Sequence, residues 1–204
     1  MKKLISIALC FLMVFMLCPS AVFAASTITW TGSAGDGSWH TSGNWDPAQV
    51  PSAEDTAVIP ESKTAVITAN TSVTLDCSGE VKVDSGGLLS LTGSSYLRSG
   101  KLYGDGDITI TGYNADELLW TGGDIEGNGT FTVESGKQLV IGENNQKALT
   151  RPVINNGSII LNAGEFYLTG GMGGTGIIDV ASGSICILRK EITPSVGILP
   201  ITAR

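Results

Sequence analysis

Few residues of this sequence are arranged for chemistry, and its tryptophans stand out among them. Three of the four Trp residues, Trp30, Trp39 and Trp45, fall between positions 28 and 60. Indole rings are flat and amphipathic and can stack on the faces of sugars, so Trp39 and Trp45 are candidate ligand-binding residues. Tryptophan is also highly buried on average, and we favour a structural cap in which the same rings pack inside the fold. Both interpretations assign these residues to a specialised N-terminal segment.

A catalytic arrangement is harder to find. A polysaccharide-active enzyme needs acids and a basic residue that converge on one groove, and the nearest candidate is Lys82 with Asp84 and Asp107. A solvated strand face explains that trio better. His40 is the single histidine, so the sequence offers no Ser-His-Asp arrangement and no metal-ligand spacing. It predicts no catalytic residues, no metal site and no cofactor.

Two further motifs resemble ligand sites. Gly104-Asp-Gly-Asp107 is similar to half of a calcium-binding repeat, but that chemistry needs tandem nonapeptide copies, and the glycines here are spaced differently. Thr109 with Thr111, and Thr130 with Thr132, form Thr-x-Thr pairs of the kind that ice-binding solenoids use. An acidic turn and ordinary exposed strand residues are the simpler interpretations of these motifs.

An internal repeat predicts the elements that position these residues. Five segments begin with glycine and carry apolar residues two and four positions later: 79–83, 106–110, 129–133, 157–161 and 176–180. Such alternation indicates strands with one buried face. In four of the segments a second glycine follows seven residues after the first, and a further apolar stretch comes next. A unit of this kind cannot bury its apolar face alone and must stack on its neighbours.

We therefore predict an all-β fold, a right-handed parallel β-helix or β-solenoid. A β-sandwich also has short strands with regular turns, but it does not require the same offset in four copies. The predicted organisation is a signal peptide at 1–24, a Trp-rich N-terminal cap at 25–60, solenoid repeats at 61–188 and an irregular tail at 189–204. Ten residues should point inward and form vertical rows along the axis: Val81, Val83, Ile108, Ile110, Phe131, Val133, Ile159, Leu161, Ile178 and Val180.

The first 24 residues have the three parts of a secretory signal peptide. Lys2 and Lys3 precede an apolar run, and small residues lead to a cleavage site after Ala24. The run is too short for a transmembrane helix, so we expect a mature protein that is secreted and does not span the membrane. Cys77 and Cys186 remain after cleavage and are predicted to be unpaired. The net charge of −7 argues against nucleic acid as a partner.

The N-terminal run also resembles a known class of proteins. Its residues Asp36-Gly-Ser-Trp39, Asn44-Trp45-Asp-Pro47 and Val58-Ile-Pro60 look like the Trp-rich segment that leads into the β-helix of bacterial secreted surface proteins. That class includes autotransporter passengers and filamentous-haemagglutinin-like adhesins. The resemblance covers residues 28–60 for the motif and 61–188 more loosely, and it implies a right-handed β-helix at the cell surface.

From these observations we expect a secreted, extracellular module that is associated with the cell surface, with a structural or adhesin-like binding role and no catalytic activity. Its expected partners are glycans or other surface proteins. The alternative is a carbohydrate-active β-helix enzyme, of the polysaccharide lyase or hydrolase type, or a stub of one. The tail at 189–204 is a candidate truncation point of a longer surface protein, since its pattern does not give the polar final coil that a solenoid needs.

Overall fold

A computed structural model describes residues 25–112, 117–143 and 145–188, together with the backbone of residues 201–203. The predicted signal peptide at 1–24 and most of the predicted tail at 189–204 therefore lie outside the described residues. Within them the chain folds into short β-strands, and a 3-10 helix at Ser42–Asn44 interrupts the N-terminal segment. None of the described helical residues forms a helix that is long and apolar enough to cross a membrane.

The strands stack in parallel ladders on the three sides of a β-solenoid of about six turns, which we name faces A, B and C. The strands of face A are β1 (Thr27–Trp30), β3 (Thr56–Ile59), the second half of β5 (Thr71–Cys77), β8 (Ser95–Leu97), β11 (Glu117–Trp120), β14 (Gln138–Ile141), β17 (Ser158–Leu161), β20 (Ile177–Val180) and β22 (Ile201–Ala203). A short strand, β2 (Trp45–Asp46), pairs antiparallel with β1.

The other two faces are built in the same way. Face B contains β4 (Thr64–Ile67), β6 (Glu80–Val83), β9 (Lys101–Tyr103), β12 (Asp124–Ile125), β15 (Gln146–Leu149), β18 (Glu165–Leu168) and β21 (Ile185–Leu188). Face C contains the first half of β5, β7 (Leu88–Leu91), β10 (Asp107–Ile110), β13 (Phe131–Val133), β16 (Val153–Asn155) and β19 (Met172–Gly173). The chain visits the faces in the order A, B, C, so each strand pairs with the strand one turn away.

Alternation along each strand produces the core. All ten residues that the sequence predicts to point inward are buried, from Val81 at 0% exposure to Val180 at 8%. They belong to one hydrophobic cluster that runs from Ile28 to Val180. Stacked strands lie about 4.8 Å apart, so each inward side chain contacts its counterparts in the turns above and below. The predicted parallel solenoid is confirmed.

The predicted vertical rows are only partly right. Ile108 pairs with Phe131, and Ile159 pairs with Ile178. Val81, however, pairs with Leu102 on face B and not with Ile108, which lies on face C. Each turn has three corners, and a glycine followed by an alternating strand can begin any of its faces. The glycine pattern therefore identifies corners without telling which corner is which.

Close backbone stacking at the corners explains why glycine is needed there. Gly127 has a φ of +118°, and a Cβ on it would lie 2.1 Å from the carbonyl oxygen of Gly104 in the preceding turn. A Cβ on Gly129 would lie 1.9 Å from the carbonyl oxygen of Gly106. The fully buried Arg151 side chain runs along this corner, where its Nε donates to the carbonyl of Gly129 at 2.7 Å and its Nη2 donates to that of Gly106.

Strand pairing continues across two of the predicted boundaries. The limit between cap and repeats at residue 60 falls inside a continuous sheet, because β3 pairs with β1 on one side and with β5 on the other. The tail predicted to be irregular contains β22, whose backbone pairs in parallel with β20. Cys77 and Cys186 are both free thiols, as predicted, and Cys77 is fully buried.

Candidate functional site: the tryptophan cluster and the outer faces

Trp30, Trp39 and Trp45 form one cluster inside the N-terminal segment, and we call it the tryptophan cluster. The Trp45 ring lies edge-on to both others, with centroid distances of 4.9 Å to Trp30 and 4.6 Å to Trp39. Edge-to-face contact is a favoured arrangement of aromatic rings. The exposed fractions are 2%, 0% and 2% for Trp30, Trp39 and Trp45. The Trp45 indole N–H donates to the Trp39 carbonyl at 2.8 Å, within the cluster.

Polar loop residues hold the cluster in place. The buried Asn44 side chain accepts a hydrogen bond from the Ala34 N–H and donates to the Ser38 carbonyl and to Asp36 Oδ1. Asp36 also accepts hydrogen bonds from the Thr41 hydroxyl at 2.6 Å and from the Ser38 N–H at 3.0 Å. The Thr41 hydroxyl makes the largest contribution to a lowered pKa of Asp36. These bonds fix the loop that carries Trp39.

A second carboxylate ties the beginning of the described chain to the same segment. Asp55 is 4% exposed and accepts hydrogen bonds from the Ser26 N–H, the Ser52 N–H and the Ser52 hydroxyl at 2.7 to 3.0 Å. Burial raises the pKa of Asp55, but the hydrogen bonds from Ser52 and Ser26 together outweigh it and leave the pKa lowered. The ionised carboxylate is therefore the form that stabilises this contact.

The N-terminal segment lies against the first turn of the solenoid. On face A, β1 pairs with β3. On face B, the Trp39 N–H donates to the Val66 carbonyl at 2.9 Å, and the Val66 N–H donates to the Gly37 carbonyl. Pro51 is buried, and Val50 packs against the core. The predicted burial of Trp39 and Trp45 against the first turn is therefore observed. Both side chains are buried, and their assignment as ligand-binding residues stays a prediction.

The candidate catalytic trio is divided between two faces. Lys82 Nζ lies 2.7 Å from Asp84 Oδ1, and both side chains are exposed. Asp107 begins a strand of face C, where its Oδ1 accepts a hydrogen bond from the Thr130 N–H at 2.8 Å. Asp105, in the calcium-like motif, accepts one from the Asn128 side chain at 2.7 Å. Within the described residues no group of three or more His, Cys, Asp or Glu side chains could hold a metal ion.

A surface that the sequence reasoning missed lies on the outside of face B. The pairing aligns Glu80 with Lys101 and Lys101 with Asp124, and it aligns Lys82 with Tyr103 in the next column. We call this the mixed-charge surface, and its members are Glu80, Lys82, Asp84, Lys101, Tyr103, Asp105, Asp124 and Glu126. Its sequence signal is three polar–apolar–polar triplets, 80–82, 101–103 and 124–126. Only the register of the turns shows that these triplets stack.

The charges of this surface are fixed by their neighbours. Lys101 Nζ lies 3.0 Å from Glu126 Oε1 and 5.8 Å from the centre of the Tyr103 ring. The hydrogen bond to Glu126 raises the pKa of Lys101, and the hydrogen bond to Asp84 raises that of Lys82. Burial, followed by the negative charge of Glu80, raises the pKa of Tyr103. At neutral pH the surface therefore offers charged lysines and a protonated phenol, which suits polar binding better than proton transfer.

The outer side of face C is neutral in its central column. Ser72, Ser90, Thr109 and Thr132 follow one another from turn to turn. A shallow groove beside them is lined by Ala53, Ser72, Thr92, Thr111 and Gly112. The two Thr-x-Thr pairs do not align as a double column, because Thr132 lies next to Thr109 whereas Thr130 lies beside Asp107. This register does not give the regular array that an ice-binding face needs.

The fold defines the chain as a parallel β-solenoid protein with polar columns on its outer faces. Comparison of its sequence and structure with models of protein families, with curated proteins and with solved structures gives no match.

Proposed function

We propose that this protein is an extracellular, cell-surface structural module that binds glycans or other surface proteins in the manner of an adhesin. The observation that carries the proposal is the stacking of outward polar residues in register along faces B and C. Such columns give a rigid surface that extends along the axis, and elongated solenoid surfaces suit the binding of extended partners.

Two sequence features support the location. The predicted signal peptide at 1–24 would direct the chain out of the cytoplasm, and the N-terminal segment resembles that of bacterial secreted β-helical proteins. We expect the mature protein to be secreted and the solenoid to be right-handed. The buried tryptophan cluster supports a capping role for this segment, since solenoid ends need their apolar core and strand edges covered.

The test is a retention screen with the mature protein on immobilised neutral, acidic and amine-bearing polysaccharides. Each incubation is also assayed for new reducing ends and for unsaturated sugar products. A binding module retains at least one polymer and releases no product. Product release would contradict the proposal and favour the carbohydrate-active alternative. A protein with no retention on any glycan or on isolated cell envelopes would exclude the adhesin-like role.

A further inference from the structure

Two tyrosines on face B lie near carboxylates of the same face and are separated along the axis. Tyr103 lies one turn after Glu80 and beside Lys82, and Tyr167 donates a hydrogen bond to Glu165 Oε2 at 2.8 Å. Both rings are partly exposed on the outer side of the face. Tyr167 lies in the column of Lys101, Asp124 and Ala148, next to the column of Tyr103. Three turns of about 4.8 Å, roughly 14 Å, therefore separate the two tyrosines along the axis. A ligand that contacts both must be elongated along the axis.

The charge around Tyr103 is negative. The mixed-charge surface has five carboxylates, Glu80, Asp84, Asp105, Asp124 and Glu126, but only two lysines. Each lysine is held by a carboxylate of the same surface, Lys82 by Asp84 and Lys101 by Glu126. The excess of carboxylates attracts a cationic ligand and repels an anionic one. Nearby tyrosine rings suit flat pyranose faces, because an aromatic ring packs well against an apolar surface.

From this geometry we infer that face B, from Glu80 to Tyr167, binds a linear polysaccharide whose sugars carry free amines. The sugars stack on Tyr103 and Tyr167, and their ammonium groups pair with the carboxylates of the same face. This inference rests on the proposed binding function and names the chemical class of its ligand. A basic protein would satisfy the charges without needing flat rings, so we treat it as an outcome of the test.

The experiment compares one polymer in two states. The mature protein is titrated with soluble chitosan and with the same chitosan after chemical N-acetylation, and polylysine of equal charge is used as a competitor. We expect chitosan to bind, acetylation to weaken the affinity by about tenfold or more, and added salt to weaken it further because exposed charges are screened. Polylysine should compete poorly, since it offers no ring contacts.

Variants then locate the site. Tyr103→Ala and Tyr167→Ala should each lower the affinity for chitosan by about three- to tenfold, the loss expected for an aromatic contact. Glu80→Gln with Glu165→Gln removes charge while keeping hydrogen-bond acceptors. The matched control is Tyr96→Ala on face A, where the Arg98 guanidinium lies 4.5 Å from the ring centre and is paired with Asp76. The control should bind as the wild type does, and circular dichroism checks that each variant is folded.

Equal affinity for acetylated and free chitosan would overturn the inference. So would a loss of affinity in Tyr96→Ala as large as that in Tyr103→Ala and Tyr167→Ala, or full competition by polylysine. If another polysaccharide is retained while chitosan is not, the inference fails and the proposed function stands. If no polysaccharide and no envelope preparation is retained, both fail.

Discussion

The N-terminal segment at 25–60 and the glycine-led turns after it bury apolar surface in different ways. The turns use an aliphatic or aromatic side chain at most inward positions, such as Ile108 above Phe131, and repeat the same backbone hydrogen bonds. The N-terminal segment instead packs three indole rings edge to face, and hydrogen bonds to Asp36, Asn44 and Asp55 hold its loops. A repeat can rely on its neighbours for every contact. A segment at the end of a stack must supply its own.

The largest expected effects come from removing one large side chain in each region. Trp45→Ala and Phe131→Ala should each lower the free energy of unfolding by about 3–5 kcal/mol, through lost burial and the cavity that remains. Denaturant titration followed by circular dichroism measures both. Trp45→Ala should also increase aggregation, because the first turn would lose its cover. An unchanged melting midpoint for Trp45→Ala together with lost glycan retention would contradict the capping interpretation.

The corner glycines provide the next test, because the close backbone stacking that they allow is a feature of the repeated turns. Gly129→Ala should lower the free energy of unfolding by about 1–3 kcal/mol or more, since its Cβ would overlap the Gly106 carbonyl and the Arg151 guanidinium. The matched control is Gly173→Ala, for which an added Cβ meets nothing within 4 Å. Thermal melts of the two variants should separate clearly. Equal melting points would show that corner stacking is looser than the structure indicates.

Acid should affect the N-terminal segment through Asp55. Its folded pKa is lowered, so its stabilising contribution is present above the unfolded value of about 3.9 and is lost as the pH falls through the lower folded value. Asp55→Asn should lower stability at neutral pH by about 1–3 kcal/mol, the usual cost of weakening buried hydrogen bonds. The same substitution should also make the protein lose less stability when the pH is lowered. Tryptophan fluorescence against pH measures this, and exposed Glu54→Gln is the control. An unchanged acid response in Asp55→Asn would contradict this role.

The smallest expected effect distinguishes two threonines on neighbouring columns. Thr109 Oγ1 is buried and has no hydrogen-bond partner, whereas Thr111 Oγ1 donates to Glu134 Oε2 at 2.8 Å. Thr109→Val should therefore leave the free energy of unfolding unchanged or raise it by up to about 1 kcal/mol. Thr111→Val should lower it by about 0.5–1.5 kcal/mol. Differential scanning calorimetry can resolve the two. A clear loss of stability in Thr109→Val would indicate that its hydroxyl has a partner in solution.

Much of the architecture could be predicted because it depends on local pattern. Alternation of apolar residues predicts which side of a strand is buried, and Val81, Phe131 and Ile178 are buried as that pattern requires. The burial of Trp39 and Trp45 follows from the large apolar area of the indole ring. The candidate site was not predictable in the same way. Glu80, Lys101 and Asp124 are far apart in the sequence, and the length of each turn decides whether they meet.

Sequence by itself therefore determined the all-β class, the inward faces of the strands and the need for stacking, because these depend on periodicity and on the cost of exposing apolar surface. Tertiary structure decided the register. From β3 onward, the offset from one turn to the next ranges from 16 residues between Thr64 and Glu80 to 24 residues between Ile125 and Leu149. Loops at the corners absorb these differences, and only the packed solenoid shows that Lys82 lies beside Tyr103 on face B while Asp107 lies on face C.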